Sequence, residues 1–118
     1  MIESCITFLP VEDLERTTDF YTRIIGLELW KDLGTCRIFS CGQGYFGFCH
    51  YGDGRAIPQG VCLSLNVADE AEVDRQAARI RALGVPVRGP QKQPGFPVYS
   101  CFVTDPDGYL VEFQKILA

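Results

Sequence analysis

Two spacings of hydrophobic and polar residues run along the chain and predict its strands and helices. Apolar residues at helical spacing predict two helices, the first beginning after Asp13 and ending at Gly26, the second beginning after Asp69 and ending at Gly84. Short alternating or apolar runs between turn residues predict strands at 6–11, 27–33, 36–41, 45–51, 61–67, 85–88, 98–104 and 109–116. The predicted order is therefore β-α-β-β-β, followed by the same order again.

The two halves also match residue by residue, although weakly. When Asp13 is aligned with Asp69, Leu9 falls on Leu65, and a glycine ends the helix in both halves. Such internal repetition predicts a duplicated structural module. We expect one domain with module one at 1–52, a linker at 53–59 and module two at 60–118.

Composition excludes several classes of partner. The chain has 118 residues, of which 47% are hydrophobic and 22% charged, and its formal net charge is -4. No run of Lys or Arg appears, so we expect no nucleic-acid partner. No apolar run approaches the roughly 18 residues that suggest a membrane span, so we expect no membrane partner and a cytoplasmic location.

The six cysteines form no CxxC pair, which argues against a structural zinc site. Several lie in apolar strand-like runs, where a free cysteine behaves as a small buried hydrophobe. In a reducing compartment we expect all six to be free, and a disulfide framework is not expected. The cysteines are Cys5, Cys36, Cys41, Cys49, Cys62 and Cys101.

One carboxylate stands out near the C-terminus. A turn at Asp105–Gly108 joins two strand-like runs, and Glu112 lies between Val111 and Phe113 in the second run. Because successive side chains of a strand point to opposite faces, Glu112 points away from the core if its two neighbours point into it. A carboxylate there needs a metal, a cation, a donor or water as its partner.

These features resemble the vicinal oxygen chelate superfamily, which includes glyoxalase I, bleomycin-resistance proteins, fosfomycin-resistance transferases and extradiol dioxygenases. The resemblance rests on the duplication, on the motifs at 13–15, 20–21 and 25–27, and on the segment 105–112. It implies an α+β fold in which two βαβββ modules form a curved mixed sheet around a cup-shaped cavity.

The resemblance also implies four metal-ligand positions, one on the first strand and one on a late strand of each half. They fall on Ile6, His50, Cys62 and Glu112. His50, Cys62 and Glu112 are therefore candidate ligands for a divalent metal. Isoleucine binds no metal, however, so the alternative is that the site has been lost and Glu112 bonds to a donor or to water.

The strand at 61–67 favours a cavity independently of the resemblance. Its apolar residues alternate with Cys62, Ser64 and Asn66, so one face is small and polar. Aromatic residues combined with a few polar groups are typical of a small-molecule pocket. The candidate lining residues are Ile6, Phe8, Phe46, Phe48, His50, Cys62, Ser64, Ser100 and Phe102.

Two functions follow from the resemblance. The first is a bleomycin-resistance-like protein that binds a small organic molecule without a metal cofactor. The alternative is a metal-dependent lyase, isomerase or transferase, in which zinc, nickel or manganese polarises the substrate and Glu112 acts as a catalytic ligand or proton shuttle. The resemblance also implies a homodimer.

Overall fold

The computed structural model describes all 118 residues and divides into two compact units, Met1–Gln59 and Gly60–Ala118. Each unit contains strand, helix and three further strands in that order, and each has its own four-stranded mixed sheet. The predicted α+β class and the pair of βαβββ modules are confirmed. None of the helices has the length and apolar character needed to span a membrane.

In unit 1 the first and last strands are parallel neighbours, and the other neighbouring strands are antiparallel. The elements are β1 (Ile6–Pro10), α1 (Leu14–Asp19), a π-helical segment (Phe20–Ile25), β2 (Glu28–Asp32), β3 (Cys36–Cys41) and β4 (Gly44–Cys49). The sheet order is β1-β4-β3-β2. The strand predicted at 45–51 thus ends before His50.

The predicted first helix begins and ends as expected, but its second half is π-helical. The Asp13 side chain accepts hydrogen bonds from the backbone N–H groups of Glu15 and Arg16, and Gly26 ends the segment with φ 93°. The Thr18 and Thr22 hydroxyls donate to carbonyls four residues earlier. Hydroxyl bonds of this kind distort helices, and we attribute the change of helix type to them.

Aromatic rings fill the core of unit 1 between the helix and the sheet. Tyr21 stacks on Phe48 with 4.4 Å between ring centroids, and Phe39 lies 5.9 Å from Phe48. All three side chains are fully buried. Burial of such large rings contributes much of the hydrophobic stabilisation of a small unit.

Unit 2 repeats the arrangement of unit 1 with a longer helix. Its elements are β5 (Cys62–Asn66), α2 (Glu70–Ala82), β6 (Arg88–Lys92), β7 (Val98–Thr104) and β8 (Leu110–Ile116). The sheet order is β5-β8-β7-β6, with β5 parallel to β8. Its core, beneath α2, includes Val73, Ala77, Ile80, Cys101, Val103, Val111 and Phe113.

The capping box predicted for α2 is only half formed. The Asp69 side chain accepts a hydrogen bond of 2.8 Å from the backbone N–H of Glu72, as expected. The Glu72 carboxylate accepts bonds from Arg75 and Gln76 instead of reaching back to the cap. Two nearby side-chain donors thus replace the single backbone donor.

Strand β6 begins later than predicted and runs into the proline-rich segment. It is an edge strand whose pairing with β7 shifts between Arg88 and Gln91. Gly89 has φ 86°, and a Cβ atom there would lie 2.9 Å from the backbone oxygen of Ser100. Only glycine therefore fits this bulge, which lets a strand continue past Pro90.

The turn before β8 is held by one carboxylate. Asp105 is buried, and its Oδ1 accepts hydrogen bonds from the backbone N–H groups of Asp107 at 2.8 Å and Tyr109 at 2.9 Å. Two backbone bonds to the same oxygen close the turn that the sequence predicted. They place Leu110 at the start of β8 and so determine which face each later residue occupies.

Cys36 and Cys49 form a disulfide across β3 and β4. Their Cα atoms are 4.1 Å apart because the two residues are direct partners in the strand register. The expectation of six free cysteines was wrong for this pair, because hairpin pairing brings together two residues that are distant in sequence. The other four cysteines are free.

We predict that reduction of this disulfide destabilises the protein. Opening a crosslink that closes a loop of this length increases the conformational entropy of the unfolded chain, at a cost of about 3 kcal/mol. Urea unfolding with and without a phosphine reductant measures the difference.

The double variant Cys36→Ser/Cys49→Ser is the control, since its unfolding free energy should not respond to the reductant. Thiol counting on the unfolded, unreduced wild type should find the four free cysteines. Six free thiols, or equal stability with and without reductant, would contradict the crosslink.

Candidate ligand-binding site

A row of four side chains crosses the sheet of unit 2 on the face away from α2. Register pairs Arg88 with Phe102, Phe102 with Glu112, and Glu112 with Ser64. Directly opposed residues in neighbouring strands share a face of the sheet. Their sequence neighbours, such as Val111, are buried in the core. A cation, an aromatic ring, a carboxylate and a hydroxyl therefore stand side by side across four strands.

Glu112 is buried and held by a neighbouring hydroxyl. Only 8% of the residue is exposed. The Ser64 Oγ donates to Glu112 Oε1 at 2.5 Å, and Cys62 Sγ lies 3.8 Å from the same oxygen. No other protein donor reaches this carboxylate, and no cation forms an ion pair with it. Its second oxygen therefore remains able to accept a hydrogen bond from another molecule.

A cavity of about 410 Å³ adjoins this carboxylate, and we call it the Glu112 cavity. Its size is within the range of small-molecule pockets. Part of its wall comes from the segment between β6 and β7, and the remainder from the open face of the sheet. Its lining residues are Cys62, Gln93, Pro94, Phe96, Val98, Phe102, Glu112 and Gln114.

The thiol of Cys62 is poorly suited to act as a nucleophile. The residue as a whole is exposed, but partial burial of its sulfur raises the pKa of the thiol above its usual value. The nearby charge of Glu112 also raises this pKa, whereas the hydrogen bond with Ser64 lowers it. The thiol therefore stays protonated at neutral pH and serves as part of the wall.

The aromatic residues predicted for the cup from β4 lie on the opposite face of their sheet. Phe48 is fully buried and stacks on Tyr21 in the core of unit 1. Phe46 shares that face, because it pairs with the fully buried Phe39. The predicted alternation was shifted by one residue, which exchanges the two faces of a strand.

Ile6 and Phe8 do lie on the face away from the helix, as predicted. They pair with Tyr45 and Gly47 respectively, and Phe8 is 44% exposed. The position of unit 1 that corresponds to Glu112 is therefore Gly47, because Gly47 pairs with Phe8 as Glu112 pairs with Ser64. The predicted choice of His50 for this position was wrong.

His50 follows β4 and occupies a separate environment in unit 1. Its Nδ1 lies 3.1 Å from the Val11 carbonyl oxygen. The residue lines a small cavity of about 150 Å³ together with residues of the linker segment, including Asp53 and Arg55. These two residues bond to each other, and the Arg55 guanidinium lowers the pKa of Asp53 to about 2.

The residues present do not fit the divalent metal that the resemblance implied. Ile6 and Gly47 carry no ligand atom, and a Cβ atom on Gly47 would lie 2.5 Å from the Phe8 ring. Cys62 and Glu112 supply two donors, and one of the Glu112 oxygens is engaged by a hydroxyl. No group of three or more His, Cys, Asp or Glu residues is arranged to hold a metal ion.

Ser100 lies in the next row of the same face but does not line the cavity. It is fully buried, and its Oγ has no hydrogen-bond partner. Sequence reasoning missed several lining residues. Val98 and Gln114 follow from the alternation that identifies Phe102 and Glu112. Phe96 and its neighbours follow from no periodic signal, because they belong to an irregular loop.

The comparisons with known proteins agree with this architecture. The family model of the glyoxalase/bleomycin resistance protein/dioxygenase superfamily matches residues 4–113. The chain therefore belongs to this superfamily, as the sequence resemblance indicated.

Solved structures of the same fold include proteins with different described roles. A lactoylglutathione lyase from Agrobacterium tumefaciens is 28% identical, with a TM-score of 0.76 over 93% of this chain and 90% of that one. TnmS3, an antibiotic binding protein from Streptomyces sp. CB03234, is 24% identical, with a TM-score of 0.77 over 98% and 97%. A superfamily protein from Nocardioides is 20% identical, with a TM-score of 0.78 over 99% and 84%.

We predict a measurable coupling between Ser64 and Glu112. The variant Ser64→Ala removes the hydroxyl donor of a buried carboxylate and should lower the free energy of unfolding by about 1 kcal/mol. In a double-mutant cycle with Glu112→Gln, the two losses should not add. Urea unfolding of the four proteins gives the coupling energy, and a value near zero would contradict the hydrogen bond.

Proposed function

We propose that this protein binds a small organic molecule in the Glu112 cavity and does so without a metal ion. The observation that carries the proposal is a buried carboxylate with one oxygen fixed by Ser64, beside a cavity with aromatic walls. This combination favours recognition of a donor group on an otherwise apolar ligand.

The aromatic walls supply the main part of the expected binding energy. Phe96 is 68% exposed although it belongs to the cavity wall, so a bound molecule would remove apolar surface from water. Phe102 offers a second ring from the floor of the sheet. Burial of a flat apolar ligand between such surfaces is favourable.

Glu112 would orient the bound ligand in the cavity. Its bond to Ser64 fixes the carboxylate in one position, so a ligand pays little to order it. A hydroxyl, amine or amide N–H of the ligand would donate to the second oxygen. A ligand without a donor would leave this buried oxygen unpaired, which disfavours it.

Known members of the fold support ligand binding and leave the alternative function open to test. One structural relative is described as an antibiotic binding protein and another as a lactoylglutathione lyase. The lyase is the reason to retain metal-dependent catalysis as the alternative. Metal-dependent catalysis is placed second because Cys62 and Glu112 supply only two metal-ligand donors, and no group of three or more is present.

The resemblance also supports a homodimer. The cytoplasmic location expected from the sequence stays part of this proposal only if the crosslink between Cys36 and Cys49 persists in that compartment. The disulfide between Cys36 and Cys49 weighs against a strongly reducing compartment.

We predict that zinc, nickel and manganese neither copurify stoichiometrically with the protein nor stabilise it. A metal that binds the folded state stabilises it by a free energy that grows with the logarithm of the ratio of metal concentration to dissociation constant, and so raises the unfolding temperature. Elemental analysis of protein purified without chelators, followed by thermal unfolding with each metal, checks this. Near-stoichiometric metal together with a raised unfolding temperature would favour the enzyme.

We predict that Glu112→Gln weakens binding of a probe that carries an N–H donor on an aromatic body. The fluorescent dye N-phenylnaphthylamine has both features. Loss of the charged acceptor should raise its dissociation constant by about tenfold, as measured by fluorescence titration.

Glu28→Gln is the matched control, because Glu28 is an exposed strand residue in unit 1. This variant should bind the dye as the wild type does. Circular dichroism should show both variants folded. Equal affinity of the wild type and Glu112→Gln would remove the role assigned to this carboxylate.

A further inference from the structure

A second cavity lies in unit 2, at the end of the sheet where β6 begins. Its volume is about 400 Å³, and we call it the Arg88 cavity. Apart from one arginine and one threonine, its lining side chains are apolar. The lining residues are Val85, Pro86, Val87, Arg88, Phe102, Val103, Thr104 and Leu110. Phe102 also lines the Glu112 cavity, so the two cavities share a wall.

The guanidinium of Arg88 has no anionic partner within the protein. It lies over the Phe102 ring, 4.6 Å from the centroid, and forms no hydrogen bond or ion pair. Other arginines, such as Arg37 and Arg75, are paired with carboxylates. Arg88 thus keeps its donors available beside apolar walls.

The backbone on both sides of Arg88 is held in place. Arg81 of α2 donates through Nη2 to the carbonyl oxygens of Val87 and Gly89. The Phe102 ring restricts the guanidinium further. An arginine that is ordered before binding loses less conformational entropy when it forms bidentate hydrogen bonds.

The charge of Arg88 also reaches the neighbouring cavity. Burial raises the pKa of the Cys62 thiol, and the positive charge of Arg88 offsets a small part of that rise. The formal net charge of the whole chain is -4, so the protein as a whole does not attract anions. Affinity for an anion on this face would therefore have to come from Arg88 itself.

We propose that the Arg88 cavity binds an acidic group of the ligand, so that the preferred ligand is an aromatic molecule bearing a carboxylate or sulfonate. Arg88 is then the residue that determines charge specificity. The inference rests on the proposed function, since it names the chemical class of the molecule bound. Phe102 contacts the aromatic body, and Arg88 pairs with the acid.

Two dyes that differ in one group test this directly. Anilinonaphthalene sulfonate is N-phenylnaphthylamine with an added sulfonate. We expect Arg88→Gln to raise the dissociation constant of the sulfonate dye by about tenfold and to change that of the uncharged dye by less than about twofold. Salt at about 0.5 M should weaken binding of the sulfonate dye to the wild type and leave the uncharged dye unaffected.

Lys92→Gln is the matched control, because it removes the same charge from the same strand. Lys92 is exposed and pairs in register with Tyr99, whose hydroxyl bonds to Asp74 of α2 on the other face of the sheet. This variant should bind both dyes as the wild type does. Arg88→Lys, which keeps the charge, should recover part of the affinity for the sulfonate dye.

The outcomes separate this inference from the proposed function. Equal weakening of both dyes by Arg88→Gln, or no effect on either, overturns the acid subsite while saturable dye binding leaves the proposed function standing. Sensitivity to Arg88→Gln without sensitivity to Glu112→Gln supports the subsite and removes the role of Glu112. Failure of the wild type to bind either dye saturably, with one site per chain, overturns both.

Discussion

The pairing of β8 between β5 and β7 is the constraint on which the candidate site depends. Ser64 and Phe102 are the register partners of Glu112 on its two sides, so three different chemical groups meet on one face. The Asp105 turn fixes where β8 starts. A slip of one residue would turn Glu112 into the core and Val111 outward. This is unfavourable, because it would place a carboxylate among apolar side chains and expose an apolar side chain to water.

A buried carboxylate usually needs a cation, and here it has hydroxyl and thiol neighbours instead. The nearest cation in its row, Arg88, lies beyond the Phe102 ring. Phe102 separates the two residues in the strand register, and no ion pair joins them. Opposite charges therefore remain available on one sheet face, separated by an aromatic surface, which suits a ligand with different groups at its two ends.

Local signals in the sequence were sufficient for the elements and for one half of the site. The caps at Asp13 and Asp69, the glycine stops and the Asp105 turn each depend on a few neighbouring residues, and Glu112 was correctly assigned to the open face. The corresponding face of β4 could not be fixed in the same way. Aromatic residues occupy both faces of this strand, Tyr45 on one and Phe46 and Phe48 on the other. Residue type therefore did not distinguish the two faces, and Phe46 and Phe48 were assigned to the wrong side.

Features that depend on residues distant in sequence were the hardest to predict from the sequence. The pair Cys36 and Cys49 becomes visible only when β3 and β4 are aligned in register, where both lie equally far from their connecting turn. The loop containing Phe96 has no repeating pattern, and it follows an edge strand that carries a glycine bulge. Periodicity describes regular elements well, but it carries no information about where an irregular segment is placed.

The Phe8 ring lies directly over Gly47, at the place where unit 2 has Ser64 and Glu112. The duplicated modules therefore differ in their chemistry at this position. Module two carries a hydroxyl and a carboxylate at this position. Module one carries an aromatic ring there, which leaves no room even for a methyl group. An acidic side chain could be installed in the first module only by displacing that ring. The two repeats keep a common fold and matching aspartate helix caps, while this one position has diverged.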